Sequence, residues 1–467
     1  MRWLFLSLLV SMLGCGTPAV LPTEATKKDA PATETPEPGN VQLVSAAAAT
    51  SDWPQWMGPN RDDTWNETGV VDKFPEGGLP VTWRTKIGGG YAGPAVVGDR
   101  VFVMDYQRKE GALQNDPGTR NELKGTERVL CLSAKDGSLL WKHEYECPYA
   151  ISYANGPRCT PTVHEGKVYT LGAEGNLFCL EAATGKVVWS KEFKVDYKAP
   201  TPIWGFCSHP LVYENKLICL VGGPGSIVVA FDKEDGKELW KALSAPDAGY
   251  CPANIIDAGG TKQLVVWHPE SINSLNPNTG EVYWTEPLAP QYGMSVAAPV
   301  KSGDYLYASA IGDIGGVWKL DRTKPAVEEV WIGDNKTAVY TCNSTPYIDK
   351  GVVFGADCRG GQFRGVDLET GKRLWETFKP TTGERRASHG TAFITKHGEH
   401  FFLFSETGDL ILANLNREGY EEISRFPLIK PTSEAFGREV VWSHPAFANR
   451  SVYARNDEEI VCVSLAK

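Results

Sequence analysis

At 467 residues the chain is long enough for two or three ordinary domains, and its formal charge of −10 argues against nucleic acid or an anionic membrane surface as the main partner. Its 48 Gly, 31 Pro and 15 Trp suit many short strands joined by tight turns. It carries no G-x-S-x-G elbow, H-E-x-x-H pair or Walker loop, so those hydrolytic, metalloprotease and nucleotide chemistries have no motif here.

In chain order, residues 1–14 form a short apolar run behind Arg2, too short to span a bilayer and patterned as a signal peptide. The run ends in Met12-Leu13-Gly14-Cys15, which resembles a bacterial lipobox with Met12 where that pattern prefers leucine. The resemblance implies cleavage before Cys15 and lipid attachment there, an anchor that needs no transmembrane helix. Residues 15–50 are Ala, Pro, Thr and Glu with few large apolar side chains, a composition that predicts a disordered tether. The folded part is expected to open with a leader, residues 51–80, whose Trp53, Trp56 and Trp65 pack on one face of the main domain.

Beyond the leader a single pattern repeats. LFCLEAATGKVVW (177–189) reads as strand, tight turn and strand: apolar residues alternate, Thr184-Gly185 makes the turn, and Trp189 closes it. The same pattern recurs at 129–141, 228–240, 272–284 and 363–375, with weaker copies ending at Trp331 and Ile423. The closing residues Trp141, Trp189, Trp240, Trp284, Trp331, Trp375 and Ile423 are 48, 51, 44, 47, 44 and 48 residues apart. That spacing is one four-stranded propeller blade each. A further hairpin precedes each copy, as in residues 161–172, 210–222 and 346–357. Seven blades are complete, and an eighth begins at residue 444 but runs out of chain with three strands. Its missing strand is VTWRTKI (81–87), which carries Trp83 in the closing position. The expectation is an all-β, eight-bladed propeller over residues 81–467, closed by pairing its two ends so that no sheet edge stays open.

Cys131, Cys179 and Cys462 occupy a slot that is Ala230 and Gly365 in other blades, so small buried thiols are expected there rather than disulfides. Cys342 and Cys358 flank a hairpin whose two-residue turn, Lys350-Gly351, would place their sulfurs on opposite faces; Cys147 and Cys159 lie close enough in sequence to join. The polar insertion 107–128 is expected to be a surface loop, and Asp136, Asp235 and Glu369 are expected to serve turn hydrogen bonds.

Polar residues also recur where the innermost strands begin: Arg158, His209, Asn343, His389 and His444, with Trp204 and Trp442 ahead of two of them. Aligned on the repeat they enter the central channel at one end, a mouth suited to a small anion, a sugar or a metal. The plainer account is hydrogen bonding between blades and to channel water. The three histidines make a metal site only if their nitrogens converge on one ion, and with blade 3 across the channel from blades 7 and 8 no metal is expected.

The repeat itself, A-x-D-x-x-T-G-x-x-x-W in outline and LEAATGKVVW or FDKEDGKELW here, resembles the pyrroloquinoline-quinone-type propeller repeat. That resemblance implies that Trp83, Trp141, Trp189, Trp240, Trp284, Trp331 and Trp375 each dock on the turn of the neighbouring blade. The opening WPQWMGPNRD is similar to the leader of such propellers in planctomycete-type bacteria. Quinoprotein alcohol dehydrogenases and the outer-membrane-protein assembly lipoprotein share this superfamily, and fold does not choose between them. The dehydrogenases hold their quinone under a ring of two adjacent cysteines and beside calcium. This chain has no Cys-Cys, no C-x-x-C-H haem motif and no matching calcium and base set. The expectation is therefore a non-catalytic, exported, lipid-anchored scaffold that faces the periplasm or cell envelope and binds envelope proteins through its loops, with no cofactor. The alternatives are a quinone-dependent alcohol or sugar dehydrogenase with calcium, and a binder of a small ligand or glycan at the channel mouth.

Overall fold

The computed structural model describes residues 51–467; the expected signal peptide, the Cys15 lipidation site and the tether lie outside the described residues. Eight antiparallel sheets of at least four strands succeed one another along the chain and close into a propeller, with almost no helix. Blades 1 to 7 are built from residues 95–146, 162–192, 211–242, 254–287, 300–332, 347–377 and 392–427. Blade 8 takes three strands from residues 446–464 and its outermost from Val81–Lys86, whose Trp83 lies opposite Cys462. The two weak sequence copies, blades 5 and 7, fold as completely as the rest.

The burial pattern results from this arrangement. Middle strands are sandwiched between neighbouring sheets and are buried over most of their length, some at every position, as in Lys216–Leu220 and Val352–Ala356. Outermost strands keep only their tryptophan side inside, as in Val187–Glu192. Apolar clusters accordingly bridge consecutive blades: Tyr169, Leu177 and Cys179 of blade 2 pack with Leu217, Val229 and Phe231 of blade 3.

Register explains the small-residue slot. Cys131, Cys179, Ala230, Ser274 and Gly365 stand directly opposite Trp141, Trp189, Trp240, Trp284 and Trp375 across the outer strand pair. The indole lies over that position: a Cβ on Gly365 would sit 2.4 Å from Trp375. The indole N–H then reaches forward to the next blade, from Trp83 to the Ala134 carbonyl (2.8 Å), Trp141 to Ala182 (3.0 Å), Trp189 to Lys233 (3.1 Å), Trp240 to Pro277 (3.2 Å), Trp331 to Leu368 (2.9 Å) and Trp375 to Asn416 (3.0 Å). Trp284 departs from the expected docking. It donates to Gln263 of its own blade (3.0 Å), because blade 5 offers Arg322-Thr323-Lys324-Pro325 where other blades offer a glycine turn.

Several local expectations are corrected. The insertion in blade 1 is mostly strand: Arg100–Glu110 pairs with Asn121–Ser133, Tyr149–Ile151 adds a fifth strand, and only residues 111–120 are irregular. A separate hairpin, Ser433–Ala435 with Arg438–Val440, stands between blades 7 and 8. Asp136 and Asp235 accept turn N–H groups as expected (3.0 and 2.9 Å), whereas in blade 6 Asp367, not Glu369, accepts from Thr370 (3.0 Å). All ten cysteines of the described residues are free. Cys147 and Cys159 point to separate partners, Asn176 and the carbonyls of Phe206 and Ser208. Cys342 and Cys358 lie on the same side, not on opposite faces. The hairpin pairing ends at Tyr347 opposite Phe354, and the second strand itself ends at Ala356, so strand alternation no longer dictates where the two sulfurs point.

The leader crosses the ring. Trp53 bridges to Val96 of blade 1, and the Pro54 carbonyl accepts from Val163 of blade 2. Arg61 donates to the His209 and Pro210 carbonyls at blade 3, while Trp56 and Met57 pack with Ile256 and Leu306 of blades 4 and 5. Thr64 meets Tyr347 of blade 6 and Lys396 of blade 7, and Asp63 meets His444 at blade 8. One segment thus ties all eight blades together and closes one end of the channel.

Candidate functional site

Above that floor lies a cavity of about 950 Å³. The loops that lead into the innermost strands form its wall, because every blade begins at the axis and turns outward. All seven residues read from the sequence as mouth residues, Arg158, Trp204, His209, Asn343, His389, Trp442 and His444, line this one cavity. Tyr91, Tyr153, Tyr250, Tyr340 and Phe436 join them, and Trp56 of the leader forms part of the base.

Their chemical states differ. Arg158 is held by its own loop, donating to the carbonyls of Gly156, Ser152 (2.9 Å) and Tyr153 (2.6 Å), with Tyr91 5.2 Å beneath its guanidinium. It shapes the wall and supplies a fixed positive charge. His209 Nδ1 accepts the Thr160 N–H (2.8 Å) and its ring stacks on Trp56 at 4.8 Å. Burial, reinforced by the Arg61 charge, holds this imidazole's pKa well below the ordinary range. It is therefore neutral, with the proton on Nε2 available to a ligand.

His444 has both nitrogens engaged, Nδ1 with the Pro445 carbonyl (2.9 Å) and Nε2 with Asp63 (3.1 Å). Burial works against its charge, but Asp63 more than offsets this and leaves the pKa above the ordinary value. His389 sits near Cys358, its Nδ1 3.5 Å from the sulfur, and stacks on Phe436 at 4.7 Å. The three histidines are thus committed to three different neighbourhoods and do not form a common metal site. Asn343 donates to Thr391 (3.2 Å), Trp204 to the Pro117 carbonyl (3.2 Å) and Trp442 to Glu406 (3.1 Å).

Two wall elements lie outside the seven mouth residues: the sequence marks the blade 1 insertion only as a surface loop and gives no sign of the 433–440 hairpin. The tip of the blade 1 hairpin places Pro117 and Gly118 on the cavity rim, tied down by Arg120 to the carbonyls of Ala150 (2.6 Å) and Thr201 (3.0 Å). The 433–440 hairpin brings Phe436 and is locked by Arg438 to buried Glu406 at 2.8 and 3.1 Å. Neither repeats from blade to blade, so periodicity carries no signal for them. Buried hydroxyls of Tyr153 and Thr160, both lining the cavity, have no protein partner among the described residues.

A calcium-held quinone does not fit this donor set. Calcium takes six to eight oxygen ligands. The lining residues include one carboxylate, Asp313, and it is paired with Arg359 at 2.8 Å.

The class is thereby defined: an eight-bladed propeller with an aromatic cup at one mouth and a floor made by its own leader. A family model described as outer membrane protein assembly factor BamB matches residues 125–333 and 270–467, and the chain belongs to that family. Among solved structures it is similar to BamB from Moraxella catarrhalis, with a TM-score of 0.51 at 16% identity over 82% of this chain and 97% of that one. It is similar also to the quinohemoprotein alcohol dehydrogenase of Comamonas testosteroni, with a TM-score of 0.56 at 13% identity over 91% and 82% of the two chains. Both likenesses establish fold alone. A curated relative, quinohemoprotein alcohol dehydrogenase ADH-IIG of Pseudomonas putida, is 28% identical over 128 residues, 25% of this chain and 17% of that protein. The chain thus spans under a fifth of that relative's length. No helix among the described residues is long and apolar enough to cross a membrane.

Proposed function

We propose that this chain is an exported binding protein of the cell envelope, anchored through Cys15, whose cup takes a small ring-shaped ligand such as a sugar unit. The observation that carries this reading is the convergence of aromatic faces (Trp204, Tyr250, Trp442, Tyr153) with unpartnered polar groups around a floored cavity. Flat apolar walls with a few fixed polar groups are the general form of a small-molecule site. The carboxylate on the wall, Asp313, is tied to Arg359 rather than free to act as a base, which favours binding over turnover. Membership in the assembly-factor family and the non-repeating loops 111–120 and 433–440 favour a second role, as a scaffold that holds envelope proteins at the same rim.

The test is a thermal-shift screen of cell-wall and exopolysaccharide fragments, with titration of any hit monitored through tryptophan fluorescence. A true ligand at about 100 times its Kd should stabilise the fold by about 2.7 kcal/mol. Trp204→Ala, Trp442→Ala and His209→Ala should each weaken binding while leaving the fold intact. If no fragment stabilises the protein, and crosslinking in the membrane fraction instead joins loops 111–120 and 433–440 to another protein, the scaffold role stands in its place.

A further inference from the structure

Three loops at the mouth bring Cys342, Cys358 and His389 together, with one possible ligand atom from each lying within 4.8 Å of the others. Cys342 comes from the segment ahead of blade 6, Cys358 from the turn after Val352–Ala356, and His389 from the segment ahead of blade 7. The segments are fixed to one another through the backbone. The Cys358 N–H donates to the Tyr340 carbonyl (2.7 Å), and the His389 N–H donates to the Cys358 carbonyl (2.7 Å). His389 is held in the left-handed region at φ 57°, a conformation a non-glycine residue keeps only where its surroundings enforce it. Phe436 stacked on its ring fixes the imidazole plane.

The dimensions suit a metal ion. In a tetrahedral zinc site with Zn–S of about 2.3 Å and Zn–N of about 2.0–2.1 Å, sulfur and nitrogen stand about 3.6 Å apart. Cys358 Sγ and His389 Nδ1 stand 3.5 Å apart. Two thiolates and an imidazole are borderline-soft donors, which select zinc-class ions over magnesium or calcium. Cys358 and His389 line the cavity while Cys342 lies behind them, so the fourth position of such a site would open toward the cup.

We propose that Cys342, Cys358 and His389 form a three-ligand site for a zinc-class divalent cation at the cavity wall, with its fourth position facing the cavity. Three protein ligands and one open position make a metal that contacts a guest molecule, unlike a closed structural site. The proposal is independent of the ligand reading above, since it concerns metal affinity alone.

The experiment uses the purified, thiol-reduced chain, stripped with chelator and titrated with zinc by calorimetry and with cobalt by absorption. One equivalent should bind, and cobalt should give thiolate charge-transfer and tetrahedral bands. Cys342→Ser, Cys358→Ser and His389→Gln should each lower zinc affinity by about 100-fold or more, at least the loss seen when the outer partners of metal ligands are removed. Circular dichroism verifies that each variant is folded. Cys207→Ser is the control: this cysteine also lines the cavity, but its sulfur contacts the carbonyls of Trp204 and Gly205, so zinc binding should be unchanged. Absence of saturable zinc binding, affinity indifferent to the three substitutions, an equal loss in Cys207→Ser, or a Cys342–Cys358 disulfide in protein taken from cells would each overturn the site.

Discussion

His444 Nε2 lies 3.1 Å from the buried carboxylate of Asp63, joining the entry to the last blade to the leader that floors the channel. Both groups hold a proton more tightly folded than unfolded: Asp63 because burial raises its pKa, His444 because Asp63 outweighs the burial that would lower it. A pKa raised on folding gives stability that is full below the unfolded value and is lost as pH rises through the folded one. For His444 that loss begins above its ordinary value of about 6.5. In thermal melts between about pH 6 and 9 that share should appear as a stability advantage over Asp63→Asn that narrows as pH rises, whereas buried His209, held neutral, adds the opposite slope to both proteins. The same substitution should cost about 3 kcal/mol, as expected when a buried ion pair loses one partner. An advantage that does not narrow with pH would refute the linkage.

Gly185 carries φ 73°, and a Cβ there would sit 2.4 Å from the Trp141 ring. Gly185→Ala should destabilise by about 3 kcal/mol, combining about 1–2 for left-handed backbone with about 1–3 for overpacking. Gly166, with φ 76° and open space around it, isolates the backbone share: Gly166→Ala should cost only about 1 kcal/mol. Denaturant melts of the pair separate the two terms.

Trp83 closes the ring from the far end of the sequence. Trp83→Ala should cost about 3–5 kcal/mol, the usual range for a buried tryptophan. Deleting residues 51–87 should do worse, because Glu459–Ser464 would become an open edge strand. Light scattering of the refolded deletion should detect association that the point variant lacks.

Glu406 is buried and anchors Arg438. Arg438→Met should strand that carboxylate at a cost of about 3–5 kcal/mol. Amide exchange should speed up across 433–440 before it does in any blade, since this hairpin pairs with no other sheet among the described residues.

What is legible in the sequence is whatever repeats. Period, turn glycine and closing tryptophan determine the blade count and the closure by Val81–Lys86, and they align seven mouth residues that do share one cavity. What stays hidden breaks the repeat. Arg158 falls in the sequence among residues suited to an anion, but its donors are spent on carbonyls two to six residues away, a matter of loop geometry. Strand alternation misplaces Cys342 and Cys358 because it holds only as far as the last paired residues, Tyr347 and Ala356. Trp284 obeys the motif in its own blade while its docking depends on the next blade, where the glycine is missing. Nothing in the leader's composition indicates that it runs across the axis and touches every blade.

The pairing of Val81–Lys86 with Glu459–Ser464 also sets an order on synthesis. The strand that completes the last blade leaves the ribosome before any other blade strand, and its partner emerges only after all seven intervening blades. Until then Val81–Lys86 and the leader have no ring to join, while the intervening blades are assembling. Each of those pairs its strands locally, so they are expected to fold early, with the final long-range docking as the slow step. A nascent or prematurely terminated chain therefore exposes an unsatisfied strand together with Trp53, Trp56 and Trp65, which makes it a natural client for holdases and proteases.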